Sequence, residues 1–474
     1  MKKYSGIYSV KTVFALIFTL IFTATSFGQK RPEGAPACEA TPDQVLIDLI
    51  NQADLPAIST QYNLTLIDQV GTPPTYRMTI NSPNGQTPCQ IAVTLQADAR
   101  IAQAEPNRKV KLVEKQGLNW TSGRSWAVGR SWAVGGSVKG FNSQWFPDRI
   151  KLAQAHQVTE GEGITIAVLD TGIDLSHPAF AGKLVPGFDF VDNDNDPSEV
   201  GALWDNPVYG HGTHVAGIIA LTAPKAKIMP LRILDADGVG DLWRIKDAMV
   251  FASQNGAKII NMSFGYPDEF TSNSNTFLHD LFKAASGVAD VGQAFPELDD
   301  VLLIVAAAGN GGMIGNGADR IFPAAERGAT SADPNGNDDN LLTVGASTRY
   351  DKLASFSTMA DVQNRRRDRW VRLVAPGEEI VSAIPGGRYG MWSGTSMSAP
   401  IVSGIAALVL SVRPINPPTR ELTNVVEEIE ESGFEWDCTL QSRGINIETS
   451  RIDALCAVTN NQACYVPRTG ICPE

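Results

Sequence analysis

Ile164-Thr165-Ile166-Ala167-Val168-Leu169-Asp170-Thr171-Gly172 is an apolar run that ends on an acid and a Thr-Gly turn. A run this short, bounded by a turn, is the pattern of a parallel strand buried on both faces. Three more follow: Ile228 to Leu234, Lys258 to Phe264 and Leu302 to Ala308. Between them His211 to Leu221, Leu242 to Ser253 and Thr276 to Ala285 carry helical spacing. Strand and helix alternate, so the expected class is α/β, a mostly parallel sheet with helices on both faces. In such sheets chemistry gathers beyond the carboxyl ends of the strands. Asp170, the segment Ser263-Phe264-Gly265 and Asn310 all stand at or just past a strand end.

Around this core the chain changes character. Lys2, Lys3 and Lys11 make a basic start, Thr12 to Ala24 is uncharged and mostly apolar, and Ser26-Phe27-Gly28 supplies small residues before Gln29. That layout is a secretory signal peptide over residues 1–28. The run falls short of the roughly 20 residues of a membrane span. The mature protein is therefore expected to be secreted, extracellular or periplasmic, without a membrane partner. Residues 29–113 read as a small α+β domain. In it Asp43 to Asn51 has helical spacing, and Thr75 to Ile80 reads as a strand. Ile91, Val93, Leu95 and Ala97 alternate as in a strand, and Ile101 to Val110 closes the unit.

Residues 114–143 are rich in Gly, Ser and Trp, and Arg-Ser-Trp-Ala-Val-Gly occurs at 124–129 and again at 130–135. Two copies are too few for a repeat architecture, so the stretch reads as an exposed, extended linker. The α/β domain fills 144–435, and 436–474 is a cysteine-containing extension.

The chain has 474 residues, 43% hydrophobic and 19% charged, enough for more than one domain with a large core. A net charge of −12 argues against nucleic acid and anionic membranes as partners. The six cysteines form two groups, Cys38 with Cys89, and Cys438, Cys456, Cys464 and Cys472. Even counts in an exported chain predict disulfides within each group. Cys438–Cys456 with Cys464–Cys472 would join nearest neighbours, but the C-terminal connectivity stays open. No spacing suits zinc.

Three segments carry chemistry: Val168 to Asp174, Gly210-His211-Gly212-Thr213-His214, and Gly394-Thr395-Ser396-Met397-Ser398-Ala399-Pro400. A Ser opening a helix presents its hydroxyl where unpaired N–H groups favour negative charge. A His can take its proton, and an Asp at a strand end can hold that imidazole in one tautomer. The segments, in the order Asp, His, Ser, resemble the signatures of the subtilase family over roughly residues 140–430. The resemblance implies an endopeptidase, expected to be monomeric, that cleaves protein or peptide substrates through an acyl-enzyme on Ser396, with His211 and Asp170. It implies Asn310 as the oxyanion donor. His214 is the rival base; the resemblance favours His211 and reads His214 as its packing neighbour.

By the same resemblance, Ser263, Phe264 and Gly265, with Ala307 and Gly309, flank the main specificity pocket. Leu242 and Ile245, beside Phe264, wall a second. Asp189, Asp192, Asp194 and Asp196 lie within eight residues, a hard-oxygen cluster suited to Ca²⁺ and similar to the calcium loop of thermitase-like subtilases. No organic cofactor is implied. The 29–113 domain resembles the family's inhibitory propeptide, its tail lying in the cleft until it is cut. Longer loops near 266–300 and 311–340 and the Arg365-Arg366-Arg367 insert depart from the family. Two other readings are a catalytically silent subtilase-fold binding protein and a lipase or esterase. The second wants Gly-x-Ser-x-Gly, and Ser398 stands where a glycine is needed.

Overall fold

The structure is a computed structural model. It describes residues 38–112, 132–202, 205–267, 282, 303–312, 321–326, 340–359, 371, 373–414, 421–440, 445–460 and 466–471. The signal segment, the first hexapeptide copy, the 276–285 helix apart from Phe282, most of the two long loops and the Arg365–Arg367 insert lie outside them.

The N-terminal part runs β1 (Ala40–Leu49), α1 (Leu55–Tyr62), β2 (Leu64–Val70), β3 (Thr75–Ile80), α2 (Pro88–Gln96) and β4 (Ile101–Leu112). β1 lies antiparallel between β3 and β4, with β2 outside β3. Two expectations are corrected here. Residues 43–51 are mostly strand, because β1 is buried on both faces: Val45, Ile47 and Leu49 face their own domain, while Leu46 joins the core of the α/β domain. A two-sided strand has no alternation, so its sequence imitates a helix. Residues 91–96 are helix. Thr87 and Gln90 form a reciprocal capping box with Pro88 at the first turn. Ile91, Ala92 and Leu95 are buried while Val93 is 63% exposed, which is helical periodicity. Cys38 and Cys89 form the expected disulfide at the start of α2.

After β5 (Trp132–Gly136) the main domain follows in chain order. Its first half is β6 (Thr165–Asp170), β7 (Phe188–Asp189), α3 (His211–Thr222), β8 (Lys227–Arg232), β9 (Val239–Asp241), α4 (Leu242–Gln254), β10 (Ile259–Met262) and β11 (Phe264–Pro267). Then come β12 (Leu303–Ala307), β13 (Ile321–Phe322), β14 (Leu341–Ser347), β15 (Leu373–Pro376), β16 (Ile380–Ile384), β17 (Arg388–Trp392) and α5 (Thr395–Val412). The chain closes with α6 (Glu421–Glu430), β18 (Phe434–Leu440), β19 (Ile445–Arg451), α7 (Ala454–Thr459) and β20 (Val466–Ile471).

Ten strands form one sheet in the order β20-β18-β19-β15-β14-β12-β10-β6-β8-β7. Every neighbouring pair is parallel except β18 with β19. α3 and α5 pack on one face and α4 on the other, so the α/β expectation holds. Among the described residues, only α5 is long and apolar enough to cross a membrane, and it is a buried core helix.

The C-terminal residues extend this sheet, since β19 pairs with β15. Cys456, in α7, is disulfide-bonded to a cysteine whose side chain lies outside the described residues. The 114–143 stretch is not all linker: Trp132 to Gly135 of the second hexapeptide copy enter β5, an edge strand on β17, matching Trp132 to Trp392 and Val134 to Gly390. Trp, Ala and Val suit a strand, and β17 satisfies their backbone groups.

The small domain is tied to α4. Lys246, 1% exposed, bonds through its ammonium to the Thr75 hydroxyl, which donates to Asp48. Asn107 accepts the Trp243 N–H at 3.1 Å, satisfying a donor in the first turn of α4.

Candidate active site

Asp170 ends β6 and is 1% exposed, and His211 is the first residue of α3. His211 Nδ1 lies 2.7 Å from Asp170 Oδ1, which also accepts the Thr171 N–H at 2.8 Å. A carboxylate partner places the ring proton on Nδ1, leaving Nε2 as the basic nitrogen. Close approach is needed to get there. A Cβ on Gly212 would stand 2.1 Å from the Gly172 carbonyl oxygen, so only glycine lets the first turn of α3 sit on the Asp170 loop.

Ser396 is the second residue of α5 and is fully buried. Its hydroxyl donates to the Ser263 carbonyl at 3.1 Å, and the Ser263 hydroxyl donates back to the Ser396 carbonyl at 3.2 Å. Behind them Asn261 donates to the Ser263 hydroxyl, and Ser403 donates to Asn261 Oδ1. Ser396 is thus fixed to the strand end at β10–β11 by a buried polar chain with matched donors and acceptors.

Asn310 follows β12 through Gly309, whose φ of +100° lies in the glycine-favouring region. Asn310 Oδ1 accepts the Thr395 N–H at 2.9 Å and the Thr395 hydroxyl at 3.2 Å. A backbone N–H can only donate, so this contact assigns the amide oxygen and puts the Nδ2 donor on the other branch. Thr395 directly precedes Ser396, so the Asn310 amide and the Ser396 hydroxyl share one frame.

Trp392 sets its ring edge-on to both His211 and His214, at 5.1 Å each. His214 bonds to the Gly390 carbonyl at 3.3 Å through Nε2. Burial, then the neighbouring His211, pushes the His214 imidazole down to about 3. Burial thus favours its neutral form, and the ring serves packing against Trp392.

The end of β4 lies antiparallel between β9 and β11. Lys109, Val110 and Lys111 match Asp241, Gly240 and Val239 on one side. Lys111 and Leu112 match Gly265 and Phe264 on the other. Val110 is fully buried in one cluster with Leu242, Ile245 and Phe264. Such a three-strand arrangement is how an extended peptide is gripped by strand addition.

Residues 161–429 match the family model described as the subtilase family. The chain belongs to the subtilase family. It is 38% identical over 279 residues to a thermophilic serine proteinase of Bacillus sp. strain AK1, a match covering 56% of this chain and 57% of that one. To thermitase of Thermoactinomyces vulgaris it is 34% identical over 304 residues, covering 62% and 91%. The crystal structure of fervidolysin from Fervidobacterium pennivorans, described as a keratinolytic enzyme related to subtilisin, shares the fold with a TM-score of 0.62. That likeness covers 90% of this chain and 62% of fervidolysin at 21% identity.

In this subtilase the four acidic residues expected to hold Ca²⁺ do not converge. Asp189 and Asp192 each take Arg232 Nη1 at 2.5 Å. Asp194 accepts the Asp196 N–H, and Asp196 accepts the N–H and hydroxyl of Ser198. Among the described residues no group of three or more His, Cys, Asp or Glu side chains forms a metal site. The donor set here does not fit a calcium cage: a guanidinium stands where the cation was expected, and two carboxylates close turns on their own backbone.

Of the expected pocket residues, Phe264 and Gly265 pair with β4, Leu242 lies in its apolar cluster, and Ser263 bonds to Ser396. Ala307 is instead packed in the core on the α5 side. Gly309 donates its N–H to the Thr395 hydroxyl. The reading of residue types missed Trp392, Thr395, Asn261, Ser403 and Arg232. Thr395 stood inside the segment around Ser396, Trp392 two residues before it, and Asn261 two residues before Ser263.

Proposed function

We propose that this subtilase is an exported serine endopeptidase made as a self-processing precursor, cleaving peptide bonds through an acyl-enzyme on Ser396. Ser396 attacks the carbonyl, His211 Nε2 takes its proton and later gives it to the leaving amine, and Asp170 stabilises the imidazolium. The Asn310 amide and the Ser396 N–H, at the start of α5, receive the oxyanion. Residues 1–28 serve as the export signal and 29–113 as the inhibitory propeptide.

The observation that carries this reading is the register of β4. Lys111 faces Gly265 and Leu112 faces Phe264, the residue directly after Ser263. The Ser263 carbonyl is the group that holds the Ser396 hydroxyl. The ladder therefore leads the chain to the nucleophile as a substrate would arrive. Burying Val110 contributes about 1.5–3 kcal/mol to holding it there. The expected cut falls shortly after Leu112. Sequencing the mature N-terminus checks it: a start within a few residues after Leu112 is expected, and a start upstream of Lys109 would show that β4 does not deliver the scissile bond.

Asn310→Ala is expected to lower kcat by about 10²–10³-fold with KM nearly constant, because the donor acts on the transition state. Steady-state kinetics on a peptide substrate decides it. Raised KM with preserved kcat would make Asn310 a ground-state binding group.

A further inference from the structure

α3 has no cap of its own. Gly210 precedes it at φ +91° and offers no side chain, yet the first turn must satisfy its N–H groups. The donors go elsewhere. The Gly212 N–H goes to the Thr171 hydroxyl at 3.0 Å, and the Thr213 N–H to Glu199 Oε2 at 3.3 Å. Glu199 then collects the two hydroxyls: Thr171 donates to Oε1 at 2.6 Å, and Thr213 donates to Oε2 at 2.9 Å. Thr171 adjoins Asp170, and Thr213 lies two residues beyond His211. Thr213 also accepts the Asp174 N–H at 2.9 Å, from the same loop as Thr171.

We propose that Glu199 is a positioning residue for the peptidase reaction: its carboxylate ties the Asp170 strand end to the first turn of α3 and keeps Asp170 and His211 aligned. The inference rests on the peptidase reading above. Each threonine hydroxyl has a single proton and gives it to Glu199 while accepting a backbone N–H. The network is therefore complete only when both carboxylate oxygens accept, which requires the ionised form. Its negative charge also lies at the N-terminus of α3, where the helix dipole favours it.

The titratable groups around it are Asp170, Tyr209 and, through Thr213, Asp174. Burial, partly offset by the threonine hydroxyls, pushes the Glu199 carboxyl up to about 7. As pH falls through that value the acid must turn donor and one threonine bond is lost.

Glu199→Gln keeps the shape but supplies one acceptor where two are needed. Expected is a kcat loss of about 10-fold with KM changed less than twofold. The acid limb of kcat/KM should move down by roughly 0.5 pH unit, as a negative charge near the imidazolium is removed. Thr213→Val should give the same loss, and the double variant should be no worse than either alone. Active sites are counted by fluorophosphonate labelling, so a variant that merely folds less well shows fewer sites at unchanged turnover per site, and that result overturns the proposal. So does an unmoved acid limb, or strictly additive losses. If wild-type enzyme itself neither labels nor cleaves, the peptidase reading fails first.

Discussion

Ser396→Ala is expected to abolish peptide hydrolysis and to leave the chain at precursor length. Removing the nucleophile of a triad costs about 10⁶-fold in kcat, leaving only what the oxyanion donors and binding supply. No neighbour can substitute. The Ser398 hydroxyl donates to the Ala375 and Pro376 carbonyls, and the Ser403 hydroxyl to Asn261. Because the cut that frees the small domain is proposed as the enzyme's first turnover, the same change should preserve the strand of Lys109, Val110 and Lys111 against β9 and β11. Intact mass and N-terminal sequencing of the variant, made alone, read the second effect. Normal processing would defeat self-cleavage while leaving the acyl-enzyme intact. Undiminished hydrolysis would remove Ser396 from the mechanism altogether.

What could be read from residue types followed from how much local sequence each feature needs. β6, β8, β10 and β12 are buried on both faces, so each announces itself as an apolar run, and their alternation with α3 and α4 gives the α/β class. Asp170, His211 and Ser396 stand in Gly-rich segments at element ends, where backbone geometry restricts the residue types. The small domain resisted the same reading because β1 serves two cores. Val45 and Ile47 belong to one and Leu46 to the other, a distinction invisible until a second surface arrives.

Thr87 and Gln90 did hold the signal for α2. A Thr followed three residues later by Gln, with Pro between, is a helix start, and it outranks the two-residue alternation of Ile91 and Val93. The polar frame was harder. Asn261, Ser403 and Thr395 are ordinary residue types whose meaning lies in contacts across more than 80 positions of chain. Glu199 bonds to Thr171 and Thr213, neighbours of Asp170 and His211, from just beyond the acidic loop. Length and charge pattern of that loop suggested a cation site, but a charge pattern does not say which counter-ion answers it.

Arg232 is that counter-ion, and Arg232→Met is expected to be among the most destabilising single changes outside the catalytic groups. Its side chain is 3% exposed and that of Asp189 2%, while Asp192 is 61% exposed. Taking away the guanidinium leaves Asp189 as a buried charge without a cation, a loss of about 3–5 kcal/mol. Asp192 faces water and should lose no more than about 1 kcal/mol, so Asp192→Ala alone should be mild. The loop joins β7 to the segment bearing Glu199, so its loosening reaches the Asp170 and His211 frame. In a Ser396→Ala background, where self-digestion cannot intervene, thermal unfolding of Arg232→Met should fall by about 5 °C. Asp189→Asn should cost stability too, but adding Arg232→Met to it should cost much less than in the parent, since the buried charge is already gone. A shift under about 2 °C for Arg232→Met would show that the pair is not what holds the loop. A drop as large on exhaustive chelation of the parent protein would show instead that a bound ion, and not the guanidinium, neutralises Asp189.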